Sequence, residues 1–225
     1  MLRKGARLII KPHQLIGQKV LPRPAVILVR HNDLKGPIHA FLSLPDVPHV
    51  WVLDRFFSFR QCYEQYRCYT FSVRQGKKIK PFSLKAFIAA AAVVPLVKAS
   101  GAVAVYRGKR EIFQTLEESL KLLKQGHTIV IAADKDYADT LSPVKEIYTG
   151  FFRLEQLYYD STGEHIPFIA VNFQKNGSMI CSEAMYFSDE IPFRLQRKSL
   201  TAKIIDFFNE SDSLCNIPSS YNKSS

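Results

Sequence analysis

Three polar side chains that could act together lie at the ends of three apolar segments of the sequence. They are His31, Arg107 and Asp134. A neutral imidazole, with an unperturbed pKa of about 6.5, can take a proton from a hydroxyl at physiological pH. An arginine can hold a phosphate with paired, charge-assisted hydrogen bonds. These residue types therefore suit proton transfer beside a bound phosphate.

The elements that must position these residues form an alternating series. Hydrophobic patterning predicts strands over residues 26–29, 49–53, 101–107, 127–133, 166–173 and 178–187. It predicts helices over residues 38–44, 83–100, 110–125, 148–159 and 197–209. Such alternation indicates an α/β fold with a mostly parallel central sheet flanked by helices. The ends of its strands are where ligands and catalytic groups collect.

Composition favours a single domain around one core. The chain has 225 residues, 47% of them hydrophobic, and a formal charge of +11. This hydrophobic content excludes a disordered protein, and the charge indicates an anionic partner such as nucleic acid, phospholipid or a phosphorylated metabolite. We expect a basic amphipathic N-terminal arm over residues 1–24, the α/β domain over 25–209 and a polar, loose C-terminal tail over 210–225.

Two kinds of membrane segment are not expected. The N-terminus lacks the continuous apolar core and cleavage site of a secretory signal. The longest apolar run, residues 86–97, contains Pro95 and is shorter than the roughly 20 residues that a spanning helix needs. The N-terminal arm interleaves cations with apolar residues, which suits either an anionic membrane surface or an ordinary edge strand or helix.

The cysteines show neither paired metal-ligand spacing nor a dense disulfide pattern. We therefore expect free thiols in a reducing compartment. The four residues are Cys62, Cys68, Cys181 and Cys215. Nothing in the sequence as a whole implies a metal or a bound organic cofactor.

Residues 55–85 combine aromatic side chains with many cations, and Glu64 is the only acid among them. Aromatic rings between cations can stack on single-stranded bases, line an acyl-chain groove or lie at a lipid interface. Packing in a helical core is the preferred interpretation of any one of these rings.

The order of the segments resembles the glycerol-phosphate and lysophosphatidate acyltransferase family, which transfers a fatty acyl group from a thioester carrier to a lipid hydroxyl. The resemblance covers about residues 25–173. Residues 101–107 look like the family's glycine-to-arginine strand, 166–171 are similar to its Pro-Ile-Val-Pro-Val strand, and 148–154 resemble its Lys-x-Gly helix start. The resemblance implies the family's fold for this chain.

The resemblance also implies roles and partners. His31 would be the base, while Arg107, Asp134 and Lys135 would bind the substrate phosphate. The co-substrate would be acyl-CoA or acyl carrier protein, and the acceptor glycerol phosphate or a lysophospholipid. The protein would serve phospholipid biosynthesis in the cytoplasm, bound peripherally to the inner membrane face.

The chain departs from the family's first motif, in which Asn-His is followed by four residues and an aspartate that orients the histidine. Here Arg30 replaces the asparagine, and Gly36 stands where the aspartate belongs. Asp33 is the nearest carboxylate in sequence and is included as a candidate catalytic residue. At the later acidic turn, Lys135 and Tyr137 replace the family's glycine and arginine.

Three functions stay open at this point. The first is an acyltransferase weakened by the missing aspartate. The second is a non-catalytic member of the same fold that binds lipid or acyl carrier. The third, and least favoured, is a nucleic-acid-binding protein that uses residues 55–85.

Overall fold

A computed structural model describes residues 2–16, 21–32, 35–108, 110–135 and 142–214, with side chains as far as residue 212. Its elements in chain order are α1 (Leu2–Ile9), β1 (Gln14–Ile16), β2 (Ala25–Val29), α2 (Lys35–Ser43), β3 (His49–Leu53), α3 (Phe59–Gln65), α4 (Leu84–Ala99), β4 (Val103–Val105), α5 (Ile112–Lys124), β5 (Thr128–Ala132), α6 (Arg153–Thr162), β6 (Phe168–Phe173), β7 (Ser178–Cys181) and α7 (Phe193–Leu214).

The strands form one seven-stranded sheet in the order β1-β7-β6-β2-β5-β3-β4. Every neighbouring pair is parallel except β6 and β7, which form an antiparallel hairpin. The central strand β2 is buried along its whole length, as expected for a parallel strand covered on both faces. The predicted α/β fold with a mostly parallel sheet flanked by helices is confirmed.

The apolar side chains of the sheet pack into one cluster on each face. On one face, residues from α5, α6 and α7 join the core, among them Leu123, Leu154 and Ile204. On the other face, Ala40 and Leu44 cover β2 from the side of α2. Because β2 alternates its side chains between these clusters, both faces must be covered before the strand is shielded from water.

The aromatic and basic stretch of residues 55–85 folds with α4 around a third, smaller cluster. Cys62, Tyr66 and Ala90 are buried in it. Tyr66 also stacks on Phe71, with ring centroids 5.4 Å apart. Several of the rings therefore pack in a helical core, which agrees with the interpretation that the sequence favoured.

The N-terminal segment that the structure describes is tied to the domain. At the N-terminus, Arg3 and Arg7 donate hydrogen bonds to the carbonyl of Leu42, at 3.2 and 2.8 Å, near the end of α2. Cations at this position compensate the unpaired carbonyls of a helix end. β1 is an edge strand of the sheet, so this part of the predicted arm belongs to the domain.

The closing helix is longer than predicted. The sequence predicts its end at residue 209 and a loose tail from 210, but α7 continues to Leu214. The last turns are held because Ser211 is buried and Asp212 pairs with an arginine of the central strand region. None of the described helices is long and apolar enough to cross a bilayer.

Candidate active site

His31 and Asp134 meet at the carboxyl edge of the sheet. The side-chain oxygen Oδ1 of Asp134 lies 2.9 Å from Nδ1 of His31 and accepts the backbone N–H of the same residue at 2.7 Å. The Asp134 side chain is almost fully buried, whereas about a quarter of the His31 side chain is exposed. The carboxylate thus fixes both the backbone and the ring of the histidine.

The strand register explains why these two residues meet. In the pairing of β2 with β5, Val29 lies opposite Ala132. His31 and Asp134 each follow two residues later, so they leave adjacent parallel strands at the same level. The ladder continues past the strand ends, because the N–H of Ala133 donates to the carbonyl of Val29 at 2.9 Å.

The charge state of Asp134 follows from its contacts. Burial by itself opposes ionisation of Asp134, but the hydrogen bonds and charge of His31 outweigh it, and the pKa of Asp134 is lowered. An ionised carboxylate can only accept hydrogen bonds, so Nδ1 of His31 carries a proton. In the neutral ring the lone pair is then on Nε2, which is the arrangement of a general base.

Gly36 cannot carry the aspartate of the family's motif. It lies in the first turn of α2, where its N–H donates to the carbonyl of His31 at 3.2 Å. A Cβ atom built on Gly36 would overlap the carbonyl oxygen of Arg30. The structure therefore places the carboxylate that contacts the histidine at Asp134 on the next strand, whereas Asp33 lies outside the described residues.

Arg107 is exposed at the end of β4, an edge strand. β5 and β3 separate it from the strand of His31, so the two backbones are three strand spacings, roughly 14 Å, apart. The strand end is fixed by Thr115 of α5, whose Oγ1 accepts from the N–H of Tyr106 at 3.2 Å. The structure thus puts Arg107 at the same edge of the sheet as His31 but not in contact with it.

Lys135 lies next to the His31–Asp134 pair, and its ammonium is 2.6 Å from a carboxylate oxygen of Glu146. This hydrogen bond raises the pKa of Lys135 above its usual value. A phosphate at this position would therefore meet a lysine that already has an anionic partner.

A cavity of about 240 Å³ opens beside Asp134 and is lined by Arg30, Lys135 and residues 142–146. It is smaller than the roughly 300 Å³ at which pockets for drug-sized ligands begin. A polar headgroup fits this space better than a whole lipid. Arg107 does not line it.

A buried polar network next to the site was missed by the sequence analysis. Arg30 is buried and pairs with Asp212 of α7, and it donates to the carbonyl of Ser142 at 3.3 Å. The other oxygen of Asp212 accepts from Asn172 of β6 at 2.7 Å. The signal available in the sequence was Asn172 itself, a polar residue within an otherwise apolar strand.

A second imidazole–carboxylate contact lies at the amino ends of the parallel strands, at the other end of the sheet from His31. Nδ1 of His165 is 2.6 Å from Oε1 of the buried Glu155, just before β6 begins. Burial raises the pKa of Glu155 more strongly than its hydrogen bonds lower it. This pair joins α6 to the start of β6, away from the carboxyl ends of the parallel strands where ligands bind.

The remaining side chains with metal or thiol chemistry are dispersed. Among the described residues, no three His, Cys, Asp or Glu side chains are grouped to hold a metal ion. Cys62, Cys68 and Cys181 are free thiols as predicted, while Cys215 lies outside the described residues. Burial raises the pKa of Cys62 to about 11 and that of Cys181 to about 12, so neither thiol is a ready nucleophile.

Comparison of the chain with protein-family models, curated proteins and solved structures found no match.

Proposed function

We propose that this protein is an acyltransferase with a glycerol-phosphate acyltransferase-like fold. It transfers a fatty acyl group from acyl-CoA or acyl carrier protein to a hydroxyl of glycerol phosphate or a lysophospholipid. The observation that carries the proposal is the contact between His31 and Asp134 at the carboxyl edge of a parallel sheet. That contact supplies the oriented histidine that the altered sequence motif left in doubt.

In the proposed reaction, Nε2 of His31 takes the proton of the acceptor hydroxyl as its oxygen attacks the thioester carbonyl carbon. A C–O bond forms, the C–S bond breaks, and the imidazolium returns the proton to the departing thiolate. Asp134 holds the ring in the required tautomer and stabilises the imidazolium that forms between these steps.

The acceptor phosphate would lie over the ends of β5 and β3, between His31 and Arg107. Arg107 is exposed there and offers a planar set of donors for a phosphate. Lys135 adds a second cation beside the small cavity, although its pairing with Glu146 makes it the weaker candidate. Because a lysophospholipid acceptor and the acylated product are membrane lipids, we propose that the protein acts on the cytoplasmic face of the inner membrane as a peripheral protein.

The test is an acyl-transfer assay with labelled acyl-CoA or acyl carrier protein and a panel of glycerol phosphate and lysophospholipids. We expect product with the wild type, its loss in His31→Ala and its retention in His165→Ala, which removes the histidine of the other carboxylate contact. The activity of each variant is divided by its concentration of folded protein before comparison. Turnover that survives His31→Ala would exclude the assigned base. Binding without turnover in the wild type would support the non-catalytic alternative.

A further inference from the structure

Helix α4 presents an apolar face to solvent. Ala86, Ala90 and Val94 face the small core shared with α3. On the same helix, Leu84 is 61% exposed and Ile88 is 59% exposed. The exposed apolar surface continues beyond those two residues, through Phe82, Phe87 and Leu96. Exposed apolar surface of this extent generally marks a site of interaction.

The surroundings of this face are strongly cationic. From residue 65 to residue 110 the sequence contains ten lysines and arginines and no acidic residue. Several of the cations are exposed around the start of the helix: Lys77, Lys78, Lys80 and Lys85. Apolar side chains flanked by lysines are the pattern of segments that lie in the headgroup region of anionic bilayers.

We propose that the exposed face of α4 and the lysines of residues 77–85, together the lysine-flanked surface, bind an anionic phospholipid bilayer. The leucine and isoleucine side chains would enter the headgroup and acyl boundary while the lysines contact lipid phosphates. A second copy of the chain is a poorer occupant, because a symmetric dimer through this face would oppose two sets of the same cations.

The position of α4 relative to the sheet agrees with this assignment. The helix ends next to the amino end of β3, where Nδ1 of His49 is 2.7 Å from the carbonyl oxygen of Gly101. The helix also packs on the 3-10 turn Asp54–Phe57, which follows the carboxyl end of the same strand. Its first turns therefore lie toward the edge of the sheet that carries His31.

The lysine-flanked surface differs from the membrane-binding arm that the sequence suggested. Arg3 and Arg7 of that arm bind carbonyls at the end of α2. The lysines at 77–85 lie next to the apolar helix face, so charge and apolar area act on the same lipid patch. The inference does not depend on the proposed acyl transfer, because it concerns vesicle binding without any substrate.

The test is sedimentation of the full chain with vesicles made from equal parts of phosphatidylcholine and phosphatidylglycerol. Wild-type protein is expected to bind these vesicles and to bind pure phosphatidylcholine much more weakly. Leu84→Glu with Ile88→Glu should weaken binding at least about 100-fold, since two apolar side chains no longer enter the bilayer. Replacing Lys77, Lys78 and Lys80 by glutamine should weaken it roughly 100-fold.

The matched control is Ile191→Glu with Leu195→Glu, which places the same charges at similarly exposed aliphatic side chains near the start of α7. This control should bind vesicles as the wild type does, and so should His31→Ala, which separates this inference from the proposed reaction. Equal loss in both glutamate pairs would overturn the assignment of the surface. A wild-type dimer that only the α4 variant converts to a monomer, with unchanged vesicle binding, would identify a second copy as the occupant instead.

Discussion

His31 and Asp134 contact each other across two adjacent parallel strands, because each follows a residue of the registered pair Val29 and Ala132 by two positions. In the family that the sequence resembles, four residues separate the histidine from the aspartate that orients it. Here the carboxylate comes from the next strand of the sheet. The same chemical group can thus reach the ring from a residue about a hundred positions away in sequence.

Asp134→Asn tests whether this carboxylate orients the histidine. The amide keeps the shape of the side chain and can still accept the backbone N–H of His31, but it cannot enforce the same tautomer or stabilise an imidazolium. We expect acyl transfer to fall on the order of 10³- to 10⁴-fold, as for loss of the aspartate in a serine-protease triad. The measurement is kcat for the folded variant. A variant as active as the wild type would remove Asp134 from the site.

Gly36→Asp, which restores the residue of the family's motif, should destabilise the protein. Any Cβ at this position overlaps the carbonyl oxygen of Arg30, and the backbone of α2 must shift to relieve it. Gly36→Ala isolates this steric effect and should lower the free energy of unfolding by about 1–3 kcal/mol, measured by urea denaturation. Gly5→Ala is the control, because a Cβ there has no atom within 4 Å. Equal free energies of unfolding for the wild type, Gly36→Ala and Gly5→Ala would show that Gly36 is replaceable.

The ion pair of Arg30 and Asp212 should contribute to stability. Arg30 is largely shielded from water, whereas 40% of the Asp212 side chain is exposed, so solvent screens the pair in part. Removing Asp212 from a fully buried pair would cost about 3–5 kcal/mol, and we expect about 1–3 kcal/mol for this half-exposed one. A double-mutant cycle of Arg30→Met and Asp212→Asn, followed by urea denaturation, measures the coupling. Strictly additive losses would mean that the two side chains do not interact in solution.

The sequence predicts the alternation of strands and helices well because apolar periodicity and glycine stops are local signals. The helix predicted from residue 83, for example, is α4, and Ser83 caps it with its hydroxyl accepting the N–H of Ala86 at 3.3 Å. The order of the strands in the sheet, in contrast, is not a local property of the sequence. The contact of His31 with Asp134 depends on β2 and β5 being neighbours, and no local pattern encodes which strands pair. The end of α7 was mispredicted for the same reason, since Asp212 is held by a distant arginine.

The lowered pKa of Asp134 gives the stability a defined pH dependence. The unfolded chain has an ordinary aspartate pKa of about 3.9, so the unfolded state binds more protons than the folded state between the lowered pKa and that value. The stabilisation is complete above about pH 5 and is lost as the pH falls through the lowered pKa. The difference in unfolding free energy between wild type and Asp134→Asn should therefore shrink as the pH falls below about 5. His31→Ala removes the ring that lowers the pKa of Asp134, so this variant should lose less stability at low pH. Urea denaturation at a series of pH values measures the loss. An equal loss of stability at low pH in the wild type and in His31→Ala would contradict the coupling of the two residues.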